Sequence, residues 1–258
     1  MKLLLTCLSL FAMLPAVFAG EASGASLSPT DYVGISFWLA TAIMLAAAVF
    51  FFVERDRVQG KWKTSLSVAG LICGIAFWHY LTMRGIWINT GESPTVFRYV
   101  DWFITVPLQI VEFYLILAAI TAVRSQLFWK LLVASLVMLL GGYLGEIGTL
   151  SSIAGFIIGM AGWIYIIYEI FAGEASEACS ASGNAAGIQA FKVLRLIVTV
   201  GWAIYPIGYM CMPGGWLSGV MAPESIDVWY NLADAINKIG FGLVVYTIAV
   251  GETNKAEA

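Results

Sequence analysis

The chain has 258 residues, 60% of them hydrophobic and 11% charged, with a formal net charge of -3. Soluble domains carry about 25% charged residues, so this composition excludes an ordinary soluble enzyme and fits an integral membrane protein. The small net charge gives no basis for a nucleic-acid partner, and Cys7, Cys73, Cys179 and Cys211 lack the CxxC or zinc spacing expected of a metal site or disulfide framework.

The first predicted element is a signal peptide over residues 1–19. Lys2 supplies the positive charge, Leu3 to Leu14 the apolar core, and Val17-Phe18-Ala19 a cleavage site before Gly20. An uncleaved first span is the alternative, but the apolar stretch is short and polar Glu21 to Ser28 follows. Residues 20–258 then read as one domain without internal repeats.

Seven apolar runs come next, near Thr30–Val53, Ser65–Ile88, Val96–Ala122, Trp129–Leu150, Ser152–Ala172, Phe191–Met212 and Ser225–Val250. Each is close to the ~20 residues that cross a ~30 Å hydrocarbon core as a helix. Lipid cannot satisfy free backbone groups, so helices are required unless a barrel closes, and the ~10-residue alternating strands of a barrel are absent. The first loop carries Arg55, Arg57, Lys61 and Lys63, the third Arg124 and Lys130, and Lys192 and Arg195 follow the fifth span. By the positive-inside rule these loops are cytoplasmic. The predicted fold is therefore an all-α membrane protein, a seven-transmembrane-helix bundle with its N-terminus outside and its C-terminus cytoplasmic. Gly173 to Gly187, rich in Ala, Ser, Gly and Glu, is predicted to be a mobile cytoplasmic connector.

The third span contains a polar stripe. Arg98, Asp101, Thr105, Gln109 and Glu112 project within about 80° of one another on an ideal helix. Asp101 and Glu112 are separated by roughly 16 Å along the axis, which puts one carboxylate toward the outside and the other toward the cytoplasm. In the last span Lys238 lies one turn after Asp234, on the same helix face. A lysine at mid-membrane costs roughly 2.5–3.5 kcal/mol on insertion scales, so its retention points to a function. A structural ion-pair network accounts for Arg98, Asp101 and Asp234, but it leaves Glu112 with no positive partner nearby in sequence. Burial disfavours the charged form of such an acid. A protonated acid toward the cytoplasm, an ionised acid toward the outside and an amine between them form a proton relay. Trp102, Trp163, Trp202, Tyr205 and Tyr209 are either plain packing or the aromatic walls of a ligand pocket beside Lys238.

At these residues the chain resembles the microbial rhodopsins. Arg98-Tyr99-Val100-Asp101-Trp102-Phe103-Ile104-Thr105-Val106-Pro107-Leu108-Gln109 is similar to their third helix, Gly201-Trp202-Ala203-Ile204-Tyr205-Pro206 to the sixth, and Asn231-Leu232-Ala233-Asp234-Ala235-Ile236-Asn237-Lys238 to the seventh. Within that family, His79 and Glu112 resemble the proteorhodopsin pattern. The resemblance covers all seven spans. It implies all-trans-retinal held by Lys238 as a protonated Schiff base, Asp101 and Asp234 as counterions, Asp101 as proton acceptor and Glu112 as proton donor. Arg98 and His79 would belong to the counterion network. Trp102, Thr105, Trp163, Trp202, Tyr205 and Tyr209 would line the retinal pocket, and Gln109 would tune the absorption toward blue.

The implied activity is a light-driven outward proton pump, an ion transporter rather than an enzyme, in a bacterial cytoplasmic membrane. The resemblance also implies a ring-shaped homo-oligomer (pentamer or hexamer) with contacts near Trp38 and Glu54-Arg55-Asp56. A sensory photoreceptor signalling through a transducer is the competing reading, and Glu112 argues against it because sensors often lack a cytoplasmic donor. A chloride pump would be expected to lack an ionisable acceptor at Asp101. Glu146, at an outer helix end, is either a release group or a solvated cap.

Overall fold

The computed structural model describes residues 27–257; the predicted signal peptide lies outside them. Their long helices are α1 (Tyr32–Glu54), α2 (Trp62–Thr90), α3 (Thr95–Ile120), α4 (Ser125–Glu146) and α5 (Ser152–Phe171). A short α6 (Glu174–Ala181) follows, then α7 (Ala185–Leu196), a π-helical turn (Ile197–Gly201), α8 (Ile204–Cys211) and α9 (Pro223–Glu257). Seven segments are long and apolar enough to cross a membrane, with α7, the π turn and α8 together forming the sixth.

Local chemistry sets the helix ends. Asp31 caps α1 by accepting the Gly34 N–H at 2.8 Å, and Asn184 caps α7 by accepting that of Gly187 at 2.8 Å. Gly91 ends α2 at φ 67°, a left-handed conformation that only glycine adopts without steric cost. Pro223 opens α9, where its missing N–H removes nothing the helix would use. The break in the sixth span also has a local cause. Pro206 cannot donate to the Trp202 carbonyl, which instead accepts from Tyr205 N at 3.1 Å. One turn earlier Trp202 N reaches back to Ile197 O at 3.0 Å, a π-type bond. Asn237 of α9 donates to the Gly201 carbonyl at 3.0 Å.

Successive helices α1 to α5 pack as neighbours, and α9 closes the ring against α1, α2, α7 and α8. At the α4–α5 seam the backbones approach closely: a Cβ on Gly155 would lie 2.6 Å from Gly145 Cα and 2.7 Å from Gly141 O. In lipid, helices associate by such backbone approach rather than by hydrophobic burial. Apolar side chains cover the outer face; Ile157, Val200 and Ile236 are 60%, 72% and 71% exposed. The interior instead holds the charged residues, including Arg98, Asp101, Glu112, Asp234 and Lys238.

Two sequence expectations need correction. Gly173 to Gly187 is not a plain connector, because Glu174–Ala181 forms α6. Its Ala175 and Cys179 are buried, and Arg124 grips Glu174 with Nε at 2.8 Å and Nη2 at 2.9 Å. Helix ends also differ from the apolar runs: α4 spans Ser125–Glu146, α7 begins at Ala185, and α9 continues to Glu257. Hydropathy marks the lipid-facing length, whereas capping and amphipathic ends set the helix length.

Candidate functional site

The polar stripe of α3 faces inward as its spacing predicts: Arg98, Asp101, Thr105, Gln109 and Glu112 are all buried. From α9, Lys238 meets it directly. Lys238 Nζ donates to Asp101 Oδ2 at 2.5 Å and to Asp234 Oδ2 at 2.7 Å. All three side chains are essentially sealed from solvent. An amine there survives only because two carboxylates flank it.

The two carboxylates differ in what else they accept. Asp234 is held from three further side chains. Tyr80 Oη donates to Oδ2 at 2.9 Å, Tyr205 Oη to Oδ1 at 2.5 Å, and Trp102 Nε1 lies 3.2 Å from both oxygens. Asp101 is less committed. Its Oδ2 has Thr105 Oγ1 at 3.4 Å, but that hydroxyl lies closer, at 3.0 Å, to the Asp101 backbone carbonyl. Asp101 Oδ1 makes no hydrogen bond to another protein atom. His79 Nδ1 lies 3.5 Å from it. That nitrogen also lies 3.0 Å from Ile75 O, and a carbonyl only accepts, so Nδ1 carries a proton in this arrangement.

Glu112 stands apart. It is fully buried, neither carboxyl oxygen is hydrogen-bonded to protein, and among the described residues it forms no ion pair.

Arg98 pairs with a different acid of α9. Its Nη2 donates to Asp227 Oδ1 at 2.7 Å and its Nη1 to Asn231 Oδ1 at 2.9 Å. It forms no ion pair with Asp101 or Asp234, because Asp227, one of the acids the stripe does not reveal, takes its charge.

A cavity opens beside the amine. Its walls include Trp102, Gln109, Trp163, Trp202, Tyr205 and Tyr209, with Lys238 among the lining groups. Trp163 Nε1 is anchored on Val198 O at 2.9 Å, and Trp102 and Tyr205 pack edge-on with centroids 5.0 Å apart. Gln109 Nε2 is buried without a protein hydrogen bond. Thr105 is not part of the lining; it lies against Asp101. Sequence reasoning missed Met138, Phe156 and Met160, which complete the wall from α4 and α5. An apolar residue in an apolar span carries no local sign of which way it faces. Tyr80 and Asn237 were also missed, although a polar tip in a span is a usable signal.

A buried amine held between two carboxylates, beside an aromatic-walled cavity in a seven-span bundle, defines a membrane protein built around a lysine-centred site. A family model described as bacteriorhodopsin-like protein matches residues 31–251, and the chain belongs to that family. It is 57% identical over 237 residues to the blue-light absorbing proteorhodopsin of Gamma-proteobacterium Hot 75m4, covering 91% of this chain and 93% of that one. It is 54% identical over 257 residues to the green-light absorbing proteorhodopsin of Gamma-proteobacterium EBAC31A08, covering 99% and 100%. The structure of xanthorhodopsin, described as a light-driven ion pump with dual chromophore, superposes with a TM-score of 0.77 at 27% identity, over 90% of this chain and 98% of that one.

Proposed function

We propose that this microbial rhodopsin is a light-driven outward proton pump whose chromophore, all-trans-retinal, is carried by Lys238. The cavity fits such a group: it is aromatic-walled, Lys238 is among its lining residues, and Gln109 Nε2 is a buried lining atom without a protein hydrogen bond. The Nζ atom seen between Asp101 and Asp234 stands for the nitrogen that would bear the chromophore as a protonated Schiff base. When bound, retinal supplies light absorption and a change of shape that redirects the nitrogen's proton.

The residues then divide the work. Asp234, fixed by Tyr80, Trp102 and Tyr205, remains the stationary counter-charge. Asp101, with one oxygen free of protein donors, has the capacity to take the proton from the Lys238 nitrogen. Glu112, buried without an ion-pair partner among the described residues, is suited to return a proton from the cytoplasmic side. His79, 3.5 Å from Asp101, biases the acceptor's charge. Gln109 places an amide dipole beside the chromophore and favours blue absorption; a relative 57% identical to this chain is named blue-light absorbing. The pairing of a bonded acceptor with an unpartnered acid about 16 Å away along α3 is the observation that carries the reading. It disfavours a sensory photoreceptor, which needs no donor and does need a transducer.

Loop charges support an exported N-terminus and a cytoplasmic C-terminus in a bacterial cell membrane, with lipid around the apolar face. A ring of identical subunits with contacts near Trp38 belongs to the same reading, and native mass spectrometry would count the subunits. The test of the chromophore is direct. Retinal added to membranes holding the wild-type chain should give a coloured pigment, and Lys238→Ala should stay colourless; a colourless wild type overturns the reading.

A further inference from the structure

Arg98 and Asp227 form a further buried ion pair, and nothing in the relay described above uses Asp227. Asp227 Oδ1 accepts from Arg98 Nη2 at 2.7 Å and from Ser93 Oγ at 2.9 Å. Arg98 Nη1 is taken by Asn231, whose Nδ2 donates to Ser36 Oγ at 2.9 Å. One network around the guanidinium thus joins four segments: α1 through Ser36, the turn before α3 through Ser93, α3 through Arg98, and α9 through Asp227 and Asn231. Both partners of the pair are about 2% exposed. Asp227 precedes Asp234 by two helical turns, on the side where α9 begins. The arginine is consequently drawn toward that end and away from the carboxylates that hold Lys238.

We propose that Asp227 is a positioning residue that tethers Arg98 on the extracellular side of the acceptor, so that the Lys238 nitrogen is the only cation bonded to Asp101 and Asp234. The inference rests on the pump reading. Two consequences follow from charge alone. A paired Arg98 leaves the outward route from Asp101 without a bare buried cation, which would otherwise oppose a departing proton. A tethered Arg98 also leaves the full negative potential of the two carboxylates at the Lys238 nitrogen, and that potential stabilises positive charge there in the ground state.

Removing the tether tests both. In retinal-loaded Asp227→Asn, light-driven proton appearance outside should slow several-fold and the absorption maximum should move to longer wavelength as the guanidinium swings inward. Asp227→Glu, which keeps the charge, should restore both toward wild type. In an Arg98→Gln background, Asp227→Asn should add nothing, because the effect passes through the arginine. Should Asp227→Asn fail to fold, Ser93→Ala weakens the same carboxylate's anchorage and should change both readouts in the same direction and less. Unchanged release and colour in the folded variant, or an equal change with Arg98 absent, overturns the proposal. A wild type without colour or release overturns the pump reading instead, so the two failures are distinguishable.

Discussion

Lys238 and Asp101 lie 137 positions apart in sequence and 2.5 Å apart in space. Asp234, on the same helix as the lysine, completes the pair at 2.7 Å. The contact fixes the register of α9 against α3 and ties the interior charge balance to a single amine. The proposed chemistry begins at that contact, and so do its tests.

Asp101→Asn keeps the shape of the acceptor and removes its charge. The retinal-loaded variant should still be coloured, because Asp234 remains bonded to the nitrogen. Its absorption should move to longer wavelength, since less negative charge faces the nitrogen in the ground state. Light-driven transport should fall at least tenfold, a barrier increase of about 1.4 kcal/mol or more. Flash spectroscopy with a pH dye checks both, and normal transport would remove Asp101 as acceptor.

Glu112→Gln should leave colour and the first proton transfer intact, because Glu112 touches neither Lys238 nor Asp101. Recovery of the dark state should slow by about tenfold or more, within the range that a positioned proton donor contributes. The remaining rate should then fall as pH rises, because protons must come from bulk water. A pH-independent recovery at the wild-type rate would contradict the donor role.

Gln109→Leu removes the only lining amide without a protein hydrogen bond among the described residues. The absorption maximum should move to longer wavelength with proton transport retained. An unchanged spectrum would show that this side chain does not tune the colour.

The α4–α5 seam offers a test of the fold alone. A Cβ at Gly162 would lie 2.6 Å from Ala134 O and 2.8 Å from Met138 N, both backbone atoms that cannot yield cheaply. Gly162→Leu should therefore destabilise the bundle by about 1–3 kcal/mol, the usual cost of overpacking, and lower its melting temperature in detergent. An unchanged melt would mean that the seam is looser than its geometry.

Much of this site is legible from the residues themselves. The spacing of Asp101, Thr105, Gln109 and Glu112 puts them on one helix face, and that face is buried. Charge in an apolar span has to turn inward, so periodicity and chemistry agree there. Long-range pairing is a different matter. Arg98 has an obvious acid three residues away in Asp101, yet it bonds Asp227, 129 positions distant. Which acid it chooses depends on how far α9 is advanced along α3, and no local pattern encodes that. Similarly, Glu174–Ala181 reads as a loop because its stretch is short, small-residue and polar between apolar spans, and it becomes α6 once Ala175 and Cys179 find a surface to bury. The seam glycines are invisible as contacts until α4 and α5 are placed side by side.

The most direct measurement is the external pH of cells that express the full chain, are supplied with all-trans-retinal and are illuminated. The account predicts steady acidification while the light is on, collapse of the signal with an uncoupler, and no signal from Lys238→Ala cells. A pigmented wild type that leaves the medium's pH unchanged under light, or raises it, would contradict outward proton transport.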